Sequence, residues 1–323
     1  MASVDLKSVT QPVGIIRMIA TILACICFSL VASAGHVASS YWAWCMFSWC
    51  FCCFFTLLIV ILEFTTVNTK MPFAWEDFTA AHAILASLLC LSTSIIYPAF
   101  FTCGTCNRQI GATVVSWVCL ALYVGEVVLT RLRLRSTGQT NGFLSTLPGI
   151  MKILETFIAC IIFMSMETPQ YSGSPPMQWC VAVFSLCFVF AIILVLLSLA
   201  QLTSFIPFSF DKLTIVYNIL ATVMYMTAMV LWPLYSFSIR QNNSQLVRNH
   251  DKLVVVTVMA VFNFIVYTLD TMYAIRLVFC ISNDVYSSFI FKNTSVWNIH
   301  SSTRSKSTLS KIHCPPATKF RPS

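Results

Sequence analysis

The sequence predicts an all-α membrane protein with eight transmembrane helices, arranged as two tandem four-helix bundles. Three observations carry that prediction: eight apolar runs long enough to cross a bilayer, a composition of 58% hydrophobic against 9% charged residues, and a residue pattern that occurs twice along the chain. Soluble domains are about a quarter charged. A mean hydropathy of +0.82 therefore excludes an ordinary water-soluble globule.

Crossing about 30 Å of hydrocarbon takes roughly 20 apolar residues as a helix. Runs of that length extend over Gly14 to Ala34, Tyr41 to Phe64, Phe78 to Phe101, Ile110 to Leu129, Leu147 to Met166, Gln178 to Leu202, Leu213 to Tyr235 and Leu253 to Phe279. The first is too long for a signal-peptide core and has no convincing cleavage site, so it reads as a retained span. Most of the fifteen cysteines lie inside these runs, where they read as small apolar side chains rather than as a disulfide framework.

Orientation follows from the basic residues, because cytoplasmic loops hold the excess of Lys and Arg. With the N-terminus inside, only Arg108, Arg240, Arg248 and Lys252 of the 19 fall outside. Both termini are thus expected in the cytoplasm, with the plasma membrane as the expected location. The net charge of +8 reads as a topology determinant rather than a nucleic-acid stripe, so no nucleic-acid partner is expected. Tyr41, Trp42, Trp44, Tyr97, Trp179, Trp232 and Tyr235 fall at the outer ends of their spans, where an aromatic belt is expected.

The repeat is visible residue by residue. Gly14-Ile-Ile-Arg17 and its continuation to Phe28 match Gly149-Ile-Met-Lys152 and its continuation to Phe163; Pro72-Phe73 matches Pro207-Phe208, and Tyr97-Pro98 matches Trp232-Pro233. Spans 2 and 6 are matched through Trp49-Cys50 and Trp179-Cys180, and spans 4 and 8 through Tyr123-x-x-Glu126 and Tyr267-x-x-Asp270. A four-span unit returns the chain to its starting side, so the copies share one orientation, unlike the inverted repeats of many transporters. The boundaries read as an N-terminal segment over 1–12, a first unit over 13–137, a second over 146–281 and a disordered basic tail over 282–323.

Ionisable residues inside a span are costly and are functional candidates by default. Arg17 and Lys152 occupy equivalent places, as do Glu126 and Asp270. The expected arrangement is an ion pair in each unit, Arg17 with Glu126 and Lys152 with Asp270, Glu155 assisting Lys152 from one turn away. The alternative for the two cations is snorkelling to the headgroups. Cys103-x-x-Cys106 lies in the loop after span 3 with no second CxxC or nearby histidine to complete a zinc set, so an outer-loop disulfide or two idle thiols are the readings. Asn242-Asn-Ser244 is a glycosylation sequon on the outer side, whereas Asn293-Thr-Ser295 should be cytoplasmic and unused. Cys280, just past span 8, is a palmitoylation candidate. No nucleophile motif, metal set or cofactor motif is recognisable, so no enzyme activity and no cofactor are assigned.

Several strings closely resemble a known family: Thr10-Gln-Pro-Val-Gly-Ile-Ile-Arg17, Ser94-Ile-Ile-Tyr-Pro98, Ile153-Leu-Glu-Thr-Phe-Ile-Ala-Cys160, Trp179-Cys-Val-Ala-Val183 and Leu231-Trp-Pro-Leu-Tyr235. They resemble the myeloid-associated differentiation marker family, whose members carry two MARVEL domains of four helices each. The resemblance runs from about Thr10 to Phe279. It implies a non-enzymatic organiser of ordered, cholesterol-rich membrane, of vesicle traffic and membrane apposition, linked to cortical actin and small-GTPase signalling. The partners it implies are membrane lipids, cholesterol among them, with homo- or hetero-oligomers left open. The alternative is a channel or transporter that uses the intramembrane charges.

Overall fold

A computed structural model describes residues 10–71, 74–103, 105–137, 146–166, 174–200, 210–240 and 250–297. Eight long helices follow one another: α1 (Pro12–Ala34), α2 (Ser40–Phe64), α3 (Trp75–Phe101), α4 (Asn107–Thr137), α5 (Leu147–Ser165), α6 (Pro175–Leu199), α7 (Phe210–Arg240) and α8 (His250–Trp297). A 3-10 turn, Val67–Lys70, lies between α2 and α3. Each helix contains a stretch long and apolar enough to cross a membrane, which matches the eight expected spans.

In lipid a helix satisfies its own backbone, so the sequence mainly has to supply starts and stops. Pro12, Pro148 and Pro175 stand in the first turns of α1, α5 and α6, where a missing N–H breaks no intrahelical bond. Ser39 caps α2, its side chain accepting a hydrogen bond from the Tyr41 N–H at 3.3 Å. Gly35 stops α1 with a φ of 106°, a conformation that would strain any residue with a Cβ. α3 and α7 each tolerate an internal proline near their far ends, Pro98 and Pro233.

Within the first unit α1 packs on α2 and α4, and α3 closes the ring by packing on the same two helices. The second unit repeats the ring, with α5 on α6 and α8, and α7 on the same two. The units meet where α5 lies against α2 and α3. Small buried residues permit the close approach: Ala20, Ala24, Cys52, Ala86, Cys90 and Cys119 all lie in the core. Large side chains such as Phe54, Val114, Val216 and Leu234 point outward, where lipid rather than water is their solvent.

The structure corrects three expectations. The buried positions of α2 (Cys45, Ser48, Trp49, Cys52, Thr56, Ile59) repeat in α6 as Cys180, Val183, Phe184, Cys187, Ala191 and Leu194. That register has the same 135-residue offset as Gly14 to Gly149, so Trp49 corresponds to Phe184, not to Trp179. Trp49 is buried, whereas Trp179 is exposed and donates from Nε1 to Thr227 Oγ1 at 3.1 Å. A shared Trp-Cys dipeptide had masked the helical burial period.

The belt of outer-end aromatics is likewise only partly a belt. Tyr97 and Trp232 are fully buried and pack on the equivalent residues Trp49 and Phe184, with ring centroids 5.4 and 6.0 Å apart. Each unit thus holds one indole in this pair, on opposite partners. Finally, α8 continues to Trp297, so the first part of the expected disordered tail, 282–297, is helical. Residues 281–297 contain neither Gly nor Pro, and an already nucleated helix propagates through such a sequence at little cost. Residues 298–323 lie outside the described residues.

Candidate functional site: two buried charge clusters

Each unit carries its intramembrane charges at equivalent heights near the Arg17 end of its bundle. In the first unit Arg17 projects from α1 into the ring and meets two carboxylates from two other helices. Its Nε donates to Glu126 Oε1 of α4 at 2.6 Å, and its Nη1 donates to Glu63 Oε1 of α2, also at 2.6 Å. Trp75 Nε1 at the start of α3 donates to the same Glu63 oxygen at 3.2 Å. One guanidinium thereby ties α1, α2 and α4 together, with α3 joined through the indole. The planar fork of Arg suits this role, since it directs donors to two acceptors at fixed angles.

In the second unit Lys152 projects from α5. Its Nζ lies 2.7 Å from Glu155 Oε2, 2.9 Å from Asp270 Oδ2 on α8 and 2.5 Å from Asn218 Oδ1 on α7. Asn218 Nδ2 in turn donates to Asp270 Oδ2 at 2.8 Å. An ammonium has three donors and no preferred plane, and these three oxygens use all of them. The rings of Tyr217 and Tyr267 close over the ammonium, with centroids 4.9 and 5.2 Å away, within cation–π range. Their hydroxyls bond each other at 2.8 Å, and Tyr217 also donates to the Cys187 carbonyl of α6 at 2.8 Å.

Snorkelling does not describe either cation, because the Arg17 side chain is 6% exposed and that of Lys152 is 0%. Charges removed from solvent need partners with good geometry, or the desolvation cost is not recovered. Each cluster meets that requirement at its cation, which sits between two carboxyl groups, but not at every acceptor: Glu126 Oε2, Glu155 Oε1 and Asp270 Oδ1 are buried without a hydrogen-bond partner.

All five charged residues expected from the sequence enter these clusters. Glu63, Asn218, Tyr217 and Trp75 were not anticipated. Glu63 is the only acidic residue of the second apolar run, and that isolation was the available signal. The carboxylate positions explain why the repeat concealed it. At the 135-residue offset Glu63 corresponds to Ser198, and Glu155 corresponds to Ala20. The second carboxylate has moved from a neighbouring helix to the helix that carries the cation.

The remaining candidates lie elsewhere. Cys103 and Cys106 are joined by a disulfide, Cα to Cα 5.2 Å, in the short turn between α3 and α4. Asn242 lies outside the described residues. Cys280 lies within α8, beyond Arg276, and its side chain is outside the described set. Among the described residues no group of three metal-ligating side chains converges.

The sequence matches MARVEL, described as a membrane-associating domain, at residues 8–129 and again at 143–273. The first stretch takes in α1 to α3 and most of α4, and the second takes in α5 to α7 and α8 as far as residue 273. The chain is 37% identical to the myeloid-associated differentiation marker homolog of Xenopus laevis, over 84% of this chain and 95% of that one. It is 36% identical to the human myeloid-associated differentiation marker, over 84% of this chain and 90% of that one. To myeloid-associated differentiation marker-like protein 2 of Mus musculus it is 36% identical, over 86% and 95% of the two chains. No solved structure matches. The chain belongs to the myeloid-associated differentiation marker family, as a multi-pass membrane protein with two MARVEL domains.

Proposed function

We propose that the protein is a non-enzymatic organiser of ordered, cholesterol-rich membrane, acting in membrane apposition, traffic and cortical signalling from the plasma membrane, with both termini cytoplasmic. The observation that carries the reading is how the molecule divides its chemistry. Large apolar side chains on every helix but the centrally packed α5 point outward along the span, while Arg17, Glu63, Glu126, Lys152, Glu155 and Asp270 are tied to one another inside the rings. A surface of this kind sorts by bilayer thickness and order. The charges act as clasps that hold the helices in register, so that the outer surface keeps its shape. Lipids, sterol included, are the first partners; actin-linked and small-GTPase-linked proteins would be recruited from the cytoplasmic side.

Plasma-membrane vesicles separated into ordered and disordered phases test the proposal. Enrichment of the full chain in the ordered phase, lost on cholesterol depletion, is the expected outcome. Equal partition that ignores cholesterol overturns it.

A further inference from the structure

Counting charge inside each ring separates the two clusters more sharply than their distances do. As ions, Lys152, Glu155 and Asp270 sum to one net negative charge, and Lys152 is the only buried cation among the described residues of the second unit. Lys212 of α7 and Arg276 of α8 are exposed. The other titratable side chains that face Glu155 are Cys187 of α6, Tyr217 and Tyr225 of α7 and Tyr267 of α8, and none of them carries a positive charge. The first unit has the same count, with Arg17 against Glu63 and Glu126, but there Glu63 keeps an exposed edge through which the excess charge meets the membrane surface. Glu155 and Asp270 have no such edge. An unpaired charge in such surroundings is neutralised by a proton, because its desolvation is not otherwise recovered.

Hydrogen bonding shows the same deficit independently. Glu155 Oε1 and Asp270 Oδ1 have no partner, although the two carboxyl groups lie within hydrogen-bonding reach of each other. Two carboxylates only accept, so neither can satisfy the other, whereas a protonated carboxyl supplies one O–H donor. The donors already in place decide which group carries it. Asp270 Oδ2 receives Lys152 at 2.9 Å and Asn218 Nδ2 at 2.8 Å, while Glu155 receives Lys152 alone. Hydrogen bonds donated to a carboxylate favour its ionised form, so Asp270 is the ion and Glu155 the acid.

From this geometry we infer that the second unit binds one proton inside its clasp, on Glu155 Oε1, from which it is donated to Asp270 Oδ1. Lys152 is then a cation, Asp270 its counter-charge and Glu155 a neutral acid, so the cluster has no net charge and neither carboxyl oxygen is orphaned. Two carboxyl groups in contact share one proton because like charges at that distance cannot both ionise. A singly charged metal ion would balance the count as well, but it needs oxygens spread around it, and two carboxyl groups already in reach of each other suit a proton better. With the tyrosine rings over Lys152 and the carboxyl groups buried, the proton leaves only when the packing of α5, α7 and α8 opens. Proton release and opening of the second ring are therefore one event, and the first ring has no equivalent of it.

The infrared spectrum of the full chain in lipid vesicles at neutral pH tests the assignment, since a carboxylic acid and a carboxylate absorb at separate frequencies. A carboxylic-acid band that shifts on isotope labelling of the glutamate carboxyls is expected. Glu155→Gln keeps the shape and neutrality of the acid, and it is expected to abolish that band. Asp270→Asn removes the counter-charge, so that Glu155 itself becomes the ion beside Lys152; the band is expected to disappear there too, and this variant carries the test if Glu155→Gln does not fold. Glu126→Gln in the first unit is expected to leave the band in place. Absence of an acid band, a band that survives both substitutions in the second unit, or a band removed by Glu126→Gln instead would each overturn the inference. A band that appears only when sodium and potassium are replaced by choline would also overturn it, by making the bound cation a metal ion.

Discussion

The two units solve the same problem with different parts. In the first, a guanidinium reaches outward from α1 to carboxylates on two other helices, and the Glu63 side chain retains 17% exposure. In the second, an ammonium is shut under two tyrosine rings, with one carboxylate on its own helix and side-chain exposures of 1% or less. The first cluster ties more helices by ion pairs and keeps an edge toward the membrane surface. The second ties α5 to α8 by an ion pair and recruits α7 through a neutral amide. Equivalent helices can thus be clasped by networks of different openness, provided each buried cation finds its oxygens.

The largest expected effect separates the closed cluster from the open one. Removing one partner of a buried pair typically costs about 3–5 kcal/mol, because the other partner is left uncompensated. Lys152→Met is expected in that range, since Glu155 and Asp270 have no route to solvent. Arg17→Met is expected to cost less, because Glu63 can relax toward the surface and keep its bond from Trp75. Thermal midpoints of the purified variants in one detergent check the order. If Arg17→Met were the more damaging of the two, the assignment of open and closed clusters would be wrong.

A transplant sharpens the same comparison. Glu63→Ser gives the first unit the residue that the second carries at that position, and it should cost about 1.5–3 kcal/mol, the usual value for a hydrogen bond to a charged group. Adding Ala20→Glu supplies a carboxylate one turn along from Arg17, as Glu155 stands to Lys152. The double variant is expected to recover at least about 1 kcal/mol of the loss, a coupling of the size found between contacting residues. Simple additivity of the two single costs in a double-mutant cycle would show that the carboxylate cannot change helix, and that the units are not interchangeable at this point.

How much of this was readable in the sequence depended on which signal each residue left. Eight spans were readable because a bilayer imposes length and hydropathy together. The cations and the far carboxylates Glu126 and Asp270 were readable because charge is scarce in an apolar run and because both pairs keep their place in the repeat. Glu155 was readable too, from its place one turn from Lys152, whereas Glu63 is a scarce charge that corresponds to Ser198 in the other copy, so comparing the copies could not expose it. Asn218 and Tyr217 carry no charge and stand out only once α7 is laid beside α5. The Trp-Cys dipeptides at Trp49 and Trp179 mislead because two identical residues carry less information than a helical period. Burial every three or four residues along α2 and α6 fixes the register, and a helix must obey that spacing whatever its side chains are.

The smallest expected effects concern the neutral hydrogen bonds, and they ask whether the closed cluster also depends more on its surroundings. Thr56 shares a 2.8 Å hydrogen bond with the Tyr123 hydroxyl, while the second unit has Ala191 in its place. Hydrogen bonds between helices in membranes average about 0.6 kcal/mol and reach about 1.7. Thr56→Ala is expected near the average, since the Tyr123 hydroxyl keeps the Cys52 carbonyl at 3.4 Å. Tyr217→Phe is expected near the upper value, because one hydroxyl there serves both Tyr267 and the Cys187 carbonyl above a buried ammonium. The ring that faces Lys152 remains in the Phe variant, so the difference isolates the hydroxyl from the cation–π contact. Unfolding of both variants under the same detergent conditions measures it. Equal costs would mean that the tyrosine pair above Lys152 only fills space, and that the second cluster is held by its ionic bonds alone.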